Sequence, residues 1–448
     1  MKNQIVSLLV CFLMFSCAPE RPQFNLIISN VNLIDGTGSP MQEGVNVYVK
    51  DKKIVAINND QIDQCENVID GSGKYLIPGL FDCHVHTVDY EKDFPRFMHY
   101  GVTSVFITGG SKCTNEYYAE MRERGNQDSL PAPRVFHTSQ HFTMEGRHPV
   151  KTYPSPLWRD GESIFFLKDT AQIEELVKRV AQYPIQGIKL TIEEGPTPPW
   201  VERMPQAFVN KVQKEATKNG TKVFAHVSDI IELEMALDAG IKNLVHWTGV
   251  DIDFDRDTVL LEKIYDVKPN WITTLMIDKG LIYPVYPEWI EKVRKENVYD
   301  EDRLNLAYDS GYIARAGMYL GFMKEYLQKD DLTITDVAQY QVSQIMKLQE
   351  IGINFALGTD ISTFVFPGYG LHEEMELFQM GGMKPLDIIK MAAHNAAVMM
   401  HAEDSLGSIE AGKLADIILL NKNPLEDIGN TLSIDQVFKN AKSQKTLR

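Results

Sequence analysis

Tyr75-Leu76-Ile77-Pro78-Gly79-Leu80-Phe81-Asp82-Cys83-His84-Val85-His86 is an apolar run that passes a Pro-Gly turn and ends in two histidines one residue apart. Residues i and i+2 of a strand face the same way. His84 and His86 therefore leave one face together, at a spacing that suits two nitrogen ligands of one metal ion. Cys83, between them, is expected to face the opposite packing layer as a small apolar residue. In a chain with 11 histidines such a pair alone says little. At the end of a strand that opens a long strand–helix alternation, it says much more.

Outward from this run, strand-like segments recur at 81–86, 103–108, 134–140, 187–192, 222–227, 243–248, 271–276 and 354–358. Amphipathic helical stretches, such as 173–182, 207–218, 230–239 and 337–351, separate most of them. Eight strands with intervening helices predict an α/β fold, a closed (β/α)8 barrel of the TIM type over 79–402, rather than an open sheet. Two connections, 141–169 and 277–335, are far longer than ordinary loops and are expected to shape the active site. Short alternating strands at 24–29, 45–49 and 53–57 cannot bury their own face well. The strand-like segments 415–420 and 436–439 offer their complement, which predicts a small composite β-sandwich from 24–78 and 403–448.

The 448 residues are 44% hydrophobic and 24% charged, ordinary for a globular chain with a sizeable core. A net charge of −16 argues against a nucleic-acid partner, which would need a basic face. The first 16 residues differ: Lys2 precedes an apolar core too short to span a bilayer, a secretory pattern. Met14-Phe15-Ser16-Cys17 resembles a bacterial lipoprotein cleavage site, with Cys17 as the lipidated first residue and 17–23 as a tether. The alternative is an ordinary signal peptide with an incidental cysteine. The expected location is thus a membrane facing the periplasm or cell surface, with the lipid on Cys17 as the sole anchor. Cys65, Cys83 and Cys113 do not make a disulfide framework.

Catalytic groups of a barrel collect at the C-terminal ends of its strands. There the chain places His84 and His86, Lys189, His226, His246 and Asp360. Each has a plain alternative: either later histidine as a core residue held by a carbonyl, Asp360 as a helix cap. Lys189 discriminates best. Between Ile188 and Leu190, alternation sends it into the barrel, where an unpartnered ammonium is costly. Beside metals a lysine can instead take up carbon dioxide and become a carbamate, an anionic oxygen ligand. Four histidines, a carbamate and an aspartate suffice for two divalent ions ~3.5–4 Å apart.

At these residues the chain resembles the amidohydrolase superfamily, in its prolidase-like and imidazolonepropionase-like branch. Phe81-Asp82-Cys83-His84-Val85-His86 is similar to the first metal motif of that family and Gly358-Thr359-Asp360 to its last. Met391–Ala397 and Leu406–Asp416 are similar to the segment returning such chains to the sandwich. The resemblance implies that His84, His86, carboxylated Lys189 and Asp360 hold one ion, and that Lys189, His226 and His246 hold the other. Zinc is the first choice, and manganese, iron or cobalt fit the same ligands. It implies hydrolysis of an amide or related carbon–nitrogen bond in a dipeptide, N-acyl amino acid or cyclic amide, with Asp360 as proton shuttle. A lactonase or esterase on the same site, and a one-metal deaminase, remain alternatives. Relatives often carry Gly-Gly-His after strand three, where this chain has Gly146-Arg147-His148. His148 is expected to touch substrate. Arg147 would either anchor the carboxylate of a small-molecule substrate or pair with a surface acid.

Overall fold

The computed structural model describes residues 24–60, 65, 67–87, 89–195, 200–247, 250–444 and 447. Cys17 and the expected leader and tether lie outside the described residues. Barrel strands form in each of the eight expected segments: Leu80–Val85, Val102–Ile107, Arg134–His137, Ile188–Thr191, Val223–His226, Asn243–Val245, Asn270–Ile272 and Asn354–Ala356. Their runs are apolar on both faces, as parallel strands between a barrel interior and a helix layer must be. Neighbours pair in parallel as one three-stranded and one seven-stranded sheet. Two seams close the ring. At one, Cys83 N donates to Leu357 O at 2.9 Å and Asp360 N to His84 O at 2.8 Å. At the other, Ser139 N donates to Gly187 O at 2.9 Å.

Beneath the strand ends, Phe81, Phe106, Phe224, Val245, Ile272 and Ala356 form one buried cluster. Cys83 belongs to it as well, with no exposure. This corrects the expectation that it faces the outer layer. The pairing of its strand with Val102–Ile107 shifts register between Asp82 and Val85, so strict alternation fails at that point. Outside the ring, Trp247 and Trp271 pack at a tilt, with centroids 4.8 Å apart.

Both chain ends meet in one eight-stranded sheet. Its middle strand, Tyr75–Pro78, runs parallel to Leu26–Leu33 and antiparallel to Ile417–Leu420, with Ile77 opposite Ile418. Leu26, Ile28, Val47, Ile417, Leu419 and Phe438 share its core. The ion pair of Arg134 with Asp416, at 2.9 Å, ties this sheet to strand three of the barrel.

The two long connections are structured. Strand three continues into His141–Thr143, which pairs with Ile188–Thr191 on one side and Ile164–Phe166 on the other. The second connection carries helices Met276–Ile282, Pro287–Arg294, Glu301–Asn305 and Ser310–Tyr326 before the long helix Ile334–Glu350. Buried polar contacts hold it down: Lys279 pairs with Glu373 at 2.7 Å, and the Arg303 guanidinium donates to the carbonyls of Thr363 and Val365.

Candidate metal centre

The strand ends bring His84, His86, Lys189, His226, His246 and Asp360 together. His84 Nε2 and His86 Nε2 lie 3.0 Å apart, and Asp360 Oδ1 stands 3.4 Å and 3.0 Å from them. The rings of His84 and His246 have centroids 4.5 Å apart, and His246 Nε2 is 3.2 Å from His226 Nδ1. Asp360 and His246 both adopt left-handed backbone conformations, with φ of 55° and 75°. Such a conformation outside glycine persists only where surroundings hold it. Here Asp360 N donates to His84 O across the first seam, and His246 N donates to Ile272 O of the neighbouring strand.

The ring nitrogens that point away from the centre are mostly engaged, which fixes what the others can do. His86 Nδ1 meets the carbonyl of Gly109 at 2.8 Å, so it carries the proton and leaves Nε2 as a lone pair directed inward. His246 Nδ1 is 2.8 Å from the Thr274 hydroxyl. His226 Nε2 is 2.8 Å from Glu193 Oε2, which leaves Nδ1 facing His246. Burial and the neighbouring Lys189 depress the pKa of His84 and His226 well below that of free histidine. Burial also depresses that of His246, with His226 as the next cause. Neutral imidazoles of this orientation are what a cation requires.

Lys189 completes the group. It has no solvent exposure, and its Nζ has no hydrogen-bond partner among the described residues. Burial lowers its pKa to about 8, against the opposing pull of Asp360 and Glu193. Burial alone would raise the Asp360 carboxyl, but His86, His246 and Lys189 outweigh it and hold the group below the usual carboxylate range. A buried amine without a partner among convergent nitrogen lone pairs and a carboxylate fits a metal centre better than a salt-bridged core.

Glu193 escaped the sequence reading, although a signal existed. Residues 189, 191 and 193 fall on one face by alternation. Glu193 is buried, with Oε2 on His226 and Oε1 2.5 Å from His148 Nε2. His148, Glu193 and His226 thus form a second compact donor group beside the group of His84, His246 and Asp360. His148 approaches Glu193 and His226 and also lines the cavity above the centre, where it was expected to meet substrate. His141 was missed too; Thr191 holds its Nδ1 at 3.0 Å, and its ring stacks near His86. Exchanging Glu193 for glutamine removes the charge that orients His226. Metal affinity should fall by ~10–100-fold, the usual cost of losing such a support. Calorimetric metal titration checks this, and unchanged affinity would leave Glu193 without that role.

Arg147 corrects the carboxylate-anchor expectation and meets its alternative, a pair with a surface acid. It does not line the cavity but pairs with Glu202 at 2.9 Å beside a separate surface hollow. The turn after Thr143 directs it outward, and an exposed carboxylate captures it. Replacing it with alanine should change stability by less than ~1 kcal/mol, as for a surface pair. KM values for carboxylate-bearing and neutral substrates should move alike, if at all.

The cavity above the centre has a volume of about 840 Å³. His141, Tyr153 and Trp158 line it, and the second long connection contributes Tyr319, Phe322 and Tyr326. A pocket of this size over convergent ligands, at the C-terminal strand ends, is the usual location of a barrel's active site.

Comparison with known proteins agrees with this geometry. The family model described as "Amidohydrolase family" matches residues 75–443. An ochratoxinase of Aspergillus niger is 23% identical, over 88% of this chain and 81% of its own length. A 5-methylthioadenosine/S-adenosylhomocysteine deaminase of Caldanaerobacter subterraneus subsp. tengcongensis is 38% identical, over 93% and 92%. Among solved structures, a Xaa-Pro dipeptidase with bound methionine superposes with a TM-score of 0.68 at 21% identity, covering 94% of this chain and 99% of that one. The chain belongs to the amidohydrolase family and is a hydrolase that acts on carbon–nitrogen bonds.

Proposed function

We propose that the cavity hydrolyses an amide bond of a small molecule, a dipeptide, N-acyl amino acid or cyclic amide, at a centre of two divalent ions, zinc in the first instance. The observation that carries this reading is Lys189: a fully buried amine, without a partner among the described residues, at the focus of four histidines and Asp360. Carboxylated, Lys189 would bridge the ions, with His84, His86 and Asp360 completing one and His226 and His246 the other. Bound there, the ions would acidify a water and polarise the scissile carbonyl.

The chain's own groups supply the rest. Asp360, held ionised by its neighbours, takes a proton from the attacking water and returns it to the leaving nitrogen. Gly109, Thr274 and Glu193 hold the histidines in orientation. The walls of the cavity exclude bulk water and orient the substrate.

The deaminase among the relatives supports a second reading, a one-metal site that releases ammonia from a ring carbon. It leaves Lys189 without a task. A panel of dipeptides, N-acyl amino acids, cyclic imides, aminopurines and lactones, assayed with metal and with chelator, separates the readings. Metal-dependent cleavage of an acyclic or cyclic amide is the expected result. Ammonia release from an aminopurine alone, or lactone cleavage alone, would replace the proposal.

The site at Cys17 is proposed as a lipid anchor holding the enzyme at a bacterial membrane. Cys17→Ser should move the protein from the membrane to the soluble fraction. A variant that still sediments with membranes would refute the anchor.

A further inference from the structure

Asp278 lies in helix Met276–Ile282, on the wall of the cavity, and is 4% exposed. Its Oδ1 accepts from the Tyr319 hydroxyl at 2.5 Å and its Oδ2 from Gln341 Nε2 at 2.7 Å. Both donors are neutral, Asp278 is in no ion pair among the described residues, and the adjacent Lys279 is taken by Glu373 at 2.7 Å. Burial raises its pKa above the ordinary range, and the two donors offset this only in part. A buried carboxylate without a counter-ion is costly, and one that opens onto a cavity can acquire its cation from outside.

The surroundings favour the same ligand. Tyr319, Phe322 and Tyr326 stand at i, i+3 and i+7 of one helix, on one face, and all line the cavity. Phe322 is 49% and Tyr326 47% exposed, an apolar surface that solvent would rather not wet. Aromatic faces attract cations as well as apolar bodies. The cationic side chains of the cavity wall, by contrast, are engaged. Lys92 and Arg96 meet Asp300 at 3.5 Å and 3.3 Å, and Arg303 serves backbone carbonyls. They are poorly placed to hold a substrate carboxylate.

We propose that Asp278 and the aromatic face beside it form a subsite for the ammonium and apolar body of an amine-bearing substrate. The charge is opposite to the one an Arg147 anchor would have selected. The proposal rests on the reading of this cavity as the substrate site, and it narrows the amide substrate to one with a free amino group on an apolar side chain or residue.

The test is calorimetric binding of phenethylammonium and of its neutral counterpart, 2-phenylethanol, to the metal-loaded full chain. The wild type should prefer the ammonium by about tenfold, the size of one charged contact supported by aromatic faces. Asp278→Asn keeps the shape and removes the charge. Gln341→Lys keeps the charge and supplies it with an internal cation. Both should bring the two probes to near-equal affinity. Equal binding by the wild type overturns the proposal, as does a preference that survives in either folded variant. The amide panel is read separately: no amide cleavage with the ammonium preference intact refutes the hydrolase reading and leaves the subsite standing.

Discussion

Asp360→Asn should lower turnover by ~10²–10⁴-fold while the protein melts within a few degrees of the wild type. Asparagine keeps the size and is among the few residues that accept a left-handed backbone, so the φ of 55° at this position is no obstacle. The backbone bond from residue 360 to His84 O is also retained. What disappears is the charge that sits 3.0 Å from His86 Nε2, and with it the base proposed to move the proton. KM should change less than kcat, because the loss falls on the transition state rather than on the cavity walls. Turnover near that of the wild type would transfer the proton shuttle to another group, and His148 and His141 are candidates that line the cavity.

Lys189→Met should abolish activity and reduce bound metal to one ion or fewer per chain. The same substitution should leave the metal-free protein as stable as the wild type, or more so. A buried amine without a hydrogen-bond partner costs desolvation that the attraction of Asp360 and Glu193 offsets only in part, whereas methionine fills a similar volume with apolar atoms. With metal added, the order should reverse: only the wild type gains the stabilisation that a tightly held ligand confers on the native state. Melting curves with and without metal, run on both proteins, show whether the lines cross. A variant destabilised without metal would mean that Lys189 is a structural residue.

Much of this architecture could be read from residues alone because the barrel repeats one instruction eight times. Apolar runs such as Val102–Ile107 and Val223–His226, each followed by an amphipathic stretch, leave few alternatives to parallel strands under helices. The candidate ligands stood out because a histidine or lysine interrupting an apolar strand is expensive unless something binds it. Glu193 was less visible, since it stands past the end of its strand, in a polar segment where a carboxylate looks unremarkable. Cys83 misled because a register shift breaks the alternation on which such readings depend. Arg147 was left between two roles for a different reason. The path of a long loop is set by its partners, and Glu202, 55 residues on, is not foreseeable from the local sequence. The length of the second long connection was enough to expect it at the site, but which of its residues line the cavity, Tyr319, Phe322 and Tyr326 among them, depends on contacts such as those with Glu373 and Thr363.

The central claim is that Lys189 exists to join two ions. Elemental analysis of active protein purified without chelator, normalised to chain concentration, tests it most directly. The account expects two divalent ions per chain at full activity, with activity falling in step as the second is withdrawn. Full activity at one ion per chain would contradict it.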